Sequence, residues 1–337
     1  MDPSFYSPYP LHLVDFMPLV DLYGDLGEDE TYFRLVVDLI GLQNATMVKW
    51  DHVSLDPVTV FEALADKPRS VHAVVWQMLI EAGEQHGADV VMDKSLDSVR
   101  YAEDCLELHP DLRFLNLVRD PRAQVSSMNR AIIHDFDTTL NALRWVEAHD
   151  IAQTLAAKHP DRVLTVRFED FVADPAPVLQ RICGFMGITY SEEMLEISDV
   201  EEARRLASRS ALWKTNDKAL TTGNIAKYIQ HLTTDEIQLI ETLAAGHMAR
   251  YGYTRITDGQ IAVTPEMIAA ARTRSVTASQ RAWQQLHDRD PQDYQLRRYR
   301  AWYLQTLRER LTSERLAADH RIDPAPVTAG SIQPAIR

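Results

Sequence analysis

The chain has 337 residues, 45% hydrophobic and 25% charged, with a formal net charge of −14. These values suit a soluble globular protein large enough for one α/β domain with a smaller appendage. The acidic excess argues against a nucleic-acid-coating role, so any anionic ligand must be held by individually placed arginines and helix termini. No apolar run approaches membrane-spanning length, and no charged-then-apolar leader opens the sequence. Two cysteines, Cys105 and Cys183, are too few for a disulfide framework or a cysteine-rich zinc site, and the twelve histidines show no metal-ligand spacing. Buried free thiols in a reducing cytoplasm are expected.

The first thirty residues, rich in Pro, Tyr and Asp, predict irregular or short helical structure. The stretch 31–42 predicts an amphipathic helix with Phe33, Val36, Val37 and Ile40 on one face. Asp56-Pro57 is a helix start, and Pro68-Arg69-Ser70 opens another helix that Gly87 closes. Ser70 reads as a plain N-cap in preference to an anion contact. A short apolar strand at 89–92 delivers Asp93-Lys94-Ser95, and a helix is expected over 98–108.

The segment 112–130 is the most informative. An apolar strand, Phe114 to Val118, stops at Arg119-Asp120-Pro121-Arg122, and a helix carrying Ser126 and Ser127 follows. Such a strand end can form an anion pocket: the guanidinium is a bidentate fork, and the helix start adds N–H groups and dipole. The plainer alternative is a turn in which Arg119 pairs with a neighbouring acid. A long helix over 137–159, a strand over 163–166 and a helix over 175–186 come next. This alternation predicts a mostly parallel sheet with helices on both faces.

Beyond residue 191 the pattern is helical. One helix is expected over 233–251, then a pair over 264–287 and 293–318 divided at Asp290-Pro291. The last helix carries Arg297, Arg298, Arg300, Arg308, Arg310 and Arg315 around Tyr299, Trp302, Tyr303 and Leu307. It reads as a solvated basic face above a packed aromatic stripe, with an anionic-partner site or a homodimer surface as the alternatives. The tail from 322 is expected to be mobile.

Four segments, in order, resemble the sulfotransferases that use 3′-phosphoadenosine 5′-phosphosulfate as sulfo donor. They are the strand ending in Lys94-Ser95, the Leu-Val-Arg-Asp-Pro-Arg segment with Ser127 eight positions after Arg119, the Phe168-Glu169-Asp170 turn with its later Asp-Pro, and the stretch from Ile225-Ala-Lys227-Tyr228 to Tyr253. The resemblance spans about 88–253, roughly half the chain. It implies a three-layer α/β sandwich of the P-loop nucleotide-hydrolase type over 1–255, a helical C-terminal extension over 256–321 and a flexible tail over 322–337. It further implies a cytoplasmic enzyme that moves a sulfo group to a hydroxyl or amine of a small-molecule or carbohydrate acceptor.

Sulfo transfer is an in-line displacement in which negative charge builds on the leaving nucleotide, so positioning and cationic stabilisation dominate. By resemblance, Lys94 takes the catalytic electrostatic role; pairing with Asp93 or Asp97 is the alternative. Arg119 and Ser127 grip the 3′-phosphate, Arg122 assists or neutralises Asp120, Phe168 stacks where the family often has tyrosine, and Lys227 closes over the nucleotide. Glu169 and Asp170 read as orienting and capping groups. The family's Gly-x-Pro-Arg-Ser-Gly-Thr-Thr-like loop for the 5′-phosphosulfate has no counterpart, and Lys67-Pro-Arg-Ser70 lacks the glycine. Either the start is truncated, which is preferred, or the chain is a catalytically silent relative. A phosphotransferase ranks third, without a Walker motif. A missing first strand would leave the sheet open in its middle. The catalytic base is unassigned, with His12 and Asp15 nearest by position.

Overall fold

The computed structural model describes residues 5–95, 98–196, 210, 223 and 225–319. Its strands form two parallel pairs. β1 (Phe5–Tyr6) lies beside β2 (Val90–Val91), with Phe5 opposite Val90. β3 (Phe114–Val118) lies beside β4 (Val163–Arg167), in register from Phe114–Val163 to Val118–Arg167. The α/β class with parallel pairing is therefore as expected. Among the described residues the expected sheet is two pairs that are not bonded to each other. β1 corrects the reading of the first thirty residues as irregular or helical: its two residues are too short a run to show alternation, and only the partner strand reveals them.

The helices follow their end signals. α1 (Asp29–Asn44) is succeeded by α2 (Pro57–Glu62), whose cap Asp56 accepts from Thr59 N–H. Ser70 caps α3 (Val71–Gln85) by accepting from Ala73 N–H, as a plain N-cap, and Gly87 beyond the helix end takes φ +66°. α4 (Ala102–Leu108) follows a 3-10 turn at Ser98–Tyr101. α5 (Pro121–Met128) and α6 (Thr138–Lys158) form the crossover from β3 to β4. α7 (Phe168–Ala173) and α8 (Pro175–Met186) come directly after β4.

Two helix expectations need correction. Val36 and Ile40 are buried as expected, but the buried stripe of α1 also runs through Tyr32, Leu35, Leu39 and Leu42 and leaves Val37 41% exposed, because neighbouring helices cover a face rotated partly away from the one expected. The single helix expected at 233–251 is two, α9 (Thr234–Leu243) and α10 (Ala245–Tyr251). Thr242 Oγ1 bonds back to the Gln238 carbonyl at 2.7 Å and accepts the Ile261 N–H, and Gly246 follows at once. Back-bonding threonine and a low-propensity glycine together favour the break.

α11 (Pro265–Arg289) and α12 (Pro291–Asp319) fold back onto the body. α11 meets the start of α6 through Arg274–Asp137 and Ser275 Oγ, which accepts from Phe136 N–H. α12 inserts Leu307 and Leu311 into a core shared with α1, α3 and the N-terminal segment. Its arginines are only in part a solvated face: Arg298 and Arg308 are exposed, whereas the other four meet the protein. Arg300 binds Asp15 and the carbonyls of Leu11 and His12, Arg310 binds Asp38, Arg315 binds the Asp21 carbonyl, and Arg297 is buried against Asp293. The aromatic stripe is reversed in part, since Tyr299 and Trp302 are 47% and 58% exposed. The reason is that the N-terminal segment offers carbonyls and carboxylates, which attract the cationic side of the helix. The expected tail at 322–337 lies outside the described residues. Cys105 and Cys183 are free and buried. Among the described residues no helix is long and apolar enough to cross a membrane.

Candidate functional site

Parallel strands deliver their last residues to one edge, where the following turns meet. Here β3 ends at Val118 opposite Arg167, which brings Arg119 next to Phe168. The Arg119 guanidinium carbon lies 4.7 Å from the Phe168 ring centroid, a cation–π geometry. Arg119 is half-buried. Burial pulls its pKa down, opposed by the charges of Glu169 and Asp120.

The turn between Arg119 and α5 is held from both sides. Asp120 N–H donates to Glu169 Oε1 at 3.0 Å, and the other Glu169 oxygen accepts from the Tyr253 hydroxyl at 2.7 Å. Tyr253 in turn lies under Arg167, 4.8 Å from guanidinium carbon to ring centroid. One carboxylate thus ties the end of β3, the start of α7 and the chain beyond α10 together. Burial and Glu169 both push the Tyr253 hydroxyl well above the usual tyrosine range, so it is a fixed donor.

Arg122 is 4% exposed. It binds both oxygens of Asp120, at 3.0 and 2.6 Å, Glu241 at 2.6 Å and the Thr254 carbonyl at 3.0 Å, and it lies 5.0 Å from the Tyr228 ring. Its guanidinium is committed to the protein, so it neutralises Asp120, and it also joins α5 to α9. Glu241 is fully buried and further accepts from Ile256 N–H at 2.8 Å and Thr257 N–H at 3.0 Å. Burial alone would raise its pKa, but these donors hold it below the ordinary glutamate value.

The helix start corrects one expectation. Asp120 Oδ1 already accepts the Arg122 N–H at 2.9 Å, so this end of α5 is capped by its own aspartate. An anion here would depend chiefly on side chains. Ser126 is buried and accepts from Arg130, whereas Ser127 is exposed.

The remaining sequence candidates lie at increasing remove. Lys227 is exposed at the start of a 3-10 turn, Lys227–Gln230, whose next residue Tyr228 lies against Arg122. Lys94 sits past the end of β2, on the other strand pair, and donates to the Ser7 carbonyl at 3.2 Å. Its neighbour Asp93 accepts from Ser95 N–H and Oγ, at 3.1 and 2.8 Å, and burial raises the Asp93 pKa. Arg69 is engaged with Asp29 and the Leu26 and Gly27 carbonyls, away from any anion pocket. Asp15 is paired with Arg300 at 2.7 Å. The structure thus unites Arg119, Phe168 and, through Tyr228, the turn of Lys227, while Lys94 stands on the other strand pair.

Sequence reading assigned no role to Glu241 or Tyr253. Glu241 had a usable signal: it shares the apolar face of α9 with Ile237 and Ile240, and a carboxylate on such a face implies a buried cation. Tyr253 had no local signal.

The sequence model of the sulfotransferase family matches residues 16–192, more than half of the chain. Among curated proteins, protein-tyrosine sulfotransferase 2 of Gallus gallus is 26% identical over 214 residues, covering 60% of this chain and 56% of that protein. Carbohydrate sulfotransferase 2 of Mus musculus is 25% identical over 203 residues, covering 43% of this chain and 36% of that one. The chain therefore spans little more than half the length of the first of these relatives and about a third of the second. A sulfotransferase domain from the curacin biosynthetic pathway aligns with a TM-score of 0.47 and 16% identity, over 75% of this chain and 90% of that one. On the family match over residues 16–192, this chain belongs to the sulfotransferase family.

Proposed function

We propose that the chain transfers a sulfo group from 3′-phosphoadenosine 5′-phosphosulfate to a hydroxyl or amine of a small-molecule or carbohydrate acceptor. The observation that carries this reading is the Arg119–Phe168 pair at the joined ends of β3 and β4, held by Glu169 and Tyr253. A half-buried guanidinium fixed over a ring, with an exposed serine on the following helix, fits a phosphate monoester. The donor supplies an activated sulfo group and a nucleotide leaving group. The chain's own residues would do the following. Arg119 and Ser127 bind the 3′-phosphate, the group that distinguishes this donor from ATP. Phe168 keeps the guanidinium plane oriented. Arg122 acts as a positioning residue for the turn. Lys227 lies over the nucleotide, and Lys94 stabilises negative charge near the transferring group.

Calorimetric titration with adenosine 3′,5′-bisphosphate tests the donor site, with adenosine 5′-monophosphate as the control. The bisphosphate should bind more tightly, and Arg119→Ala should weaken it by roughly 10- to 150-fold, the worth of charge-assisted hydrogen bonds. Equal binding of the two nucleotides, or full affinity in Arg119→Ala, would refute the assignment. Sulfo transfer that is lost in Lys94→Ala with donor binding intact would assign the lysine.

A further inference from the structure

The rings of Tyr299 and Trp302, about one turn apart on α12, are 47% and 58% exposed. They lie nearly parallel, with 6.0 Å between centroids and 23° between planes. The helix is seated by other residues: Leu307 and Leu311 enter the core, and Arg300 and Arg310 hold Asp15 and Asp38. Two large rings left in water beside a well-seated helix mark a contact surface.

The chemistry around the rings narrows the partner. Gln295 and Gln305 are exposed on the same face, and each amide can donate to and accept from hydroxyls. Lys49 Nζ stands 5.9 Å from the Tyr299 ring centroid, and Arg298 is exposed next to that ring in the chain. Among the described residues neither cation forms an ion pair, in a chain whose net charge is −14. Glu309, about two turns beyond Trp302 and bonded to Gln305, discourages an anion at the far end. Flat ring faces edged by amides suit a pyranose, whose axial C–H groups pack on the ring while its hydroxyls reach outward. Uncommitted cations at one end call for an acid group on the same sugar chain.

Other occupants fit less well. Half-exposed, the two rings offer roughly 200 Å², against about 800 Å² that a stable protein interface takes from each partner. A second copy in two-fold contact would set Lys49 and Arg298 against their own counterparts. Nucleic acid carries a charge on every nucleotide, which the acidic excess of the chain repels.

We propose that the Tyr299–Trp302 face of α12 binds an acidic carbohydrate chain, the rings stacking on sugar faces and Lys49 and Arg298 holding uronate carboxylates. The rings lie beyond the family-matched residues 16–192, and the binding needs no sulfo donor, so it stands apart from the sulfo-transfer reading.

Calorimetry on the full chain at low ionic strength, with a hyaluronan hexasaccharide and its carboxyl-reduced counterpart, tests it. The acidic form should bind roughly 3- to 10-fold more tightly, as two exposed ion pairs allow, and lose that advantage when Lys49→Gln and Arg298→Gln are combined. Trp302→Ala should weaken both forms roughly 5- to 10-fold with the thermal midpoint unmoved, whereas Trp302→Phe should keep most of the affinity. Equal binding of the two saccharides, full affinity in Trp302→Ala, or no binding by the folded chain would overturn the proposal. A dimer that Trp302→Ala dissolves and the saccharide cannot displace would give the face to a second copy instead. Hexathymidylate that outcompetes the acidic saccharide would give it to nucleic acid.

Discussion

Replacing Glu241 tests whether the buried ion network holds the turn that carries Arg119. Glu241 is fully buried and accepts from the Arg122 guanidinium, two backbone N–H groups and the Thr257 hydroxyl. In Glu241→Leu, Arg122 keeps Asp120 but loses its second carboxylate, and the Ile256 and Thr257 N–H groups lose their acceptor. Breaking a buried pair from one side costs about 3–5 kcal/mol, and each orphaned donor about 1–3 kcal/mol. These terms overlap, because the loop at 256–257 can partly turn to water, so about 4–5 kcal/mol is expected in total. Glu241→Gln keeps one acceptor oxygen and the side-chain volume, and should cost about half as much. Urea denaturation followed by circular dichroism would read both as a fall in midpoint with an unchanged slope. The carboxylate's lowered pKa adds a sign: its stabilisation is present above the unfolded glutamate value and is lost as pH falls through the folded one. A Glu241→Leu protein within about 1 kcal/mol of the parent would refute the network's structural role.

Tyr253→Phe removes the hydroxyl that fixes Glu169. If the turn positions Arg119, affinity for adenosine 3′,5′-bisphosphate should fall about 5- to 10-fold with 5′-monophosphate binding unchanged, whereas parallel losses would speak against it. His149 is buried beside Trp145 and His247, and burial, then His247, pushes its pKa down to about 4. Protonation therefore favours the unfolded chain, so this histidine's contribution is intact above pH 6.5 and declines as pH falls toward 4. At most about 3 kcal/mol should be lost over that window, and His149→Phe should flatten the stability profile by that amount. Gly41→Ala lies in α1, where alanine is normally the better residue, but its Cβ would collide with the Tyr303 hydroxyl of α12. A loss of about 1–3 kcal/mol is expected; a raised melting temperature would show that α12 is not seated there. Asp38→Asn weakens the buried acceptor shared by Tyr23 and Arg310, so amide exchange along α12 should accelerate while that in α6 stays unchanged.

The sequence by itself determined the elements whose causes are local. Asp56, Ser70, Asp120, Asp137 and Thr264 each cap the helix that follows, and 114–118 is a strand because a run with four apolar residues around Asn116 ends at an arginine and a proline. The family was legible for the same reason, since its motifs are short runs whose order survives in one dimension. Tertiary structure decided what depends on partners distant in the chain. β1 exists only because β2 accepts it, 85 residues on. Arg122 reads as a ligand arginine beside Asp120 until Glu241, 119 residues later, accepts from its remaining nitrogen, Nη1. Arg300, Arg310 and Arg315 of α12 looked solvated until the carbonyls and carboxylates of the first forty residues met them. Capping and periodicity act within a few residues, where spacing alone reveals them. A buried charge instead takes whichever opposite group folding brings within about 3 Å, and the linear spacing carries no record of that choice.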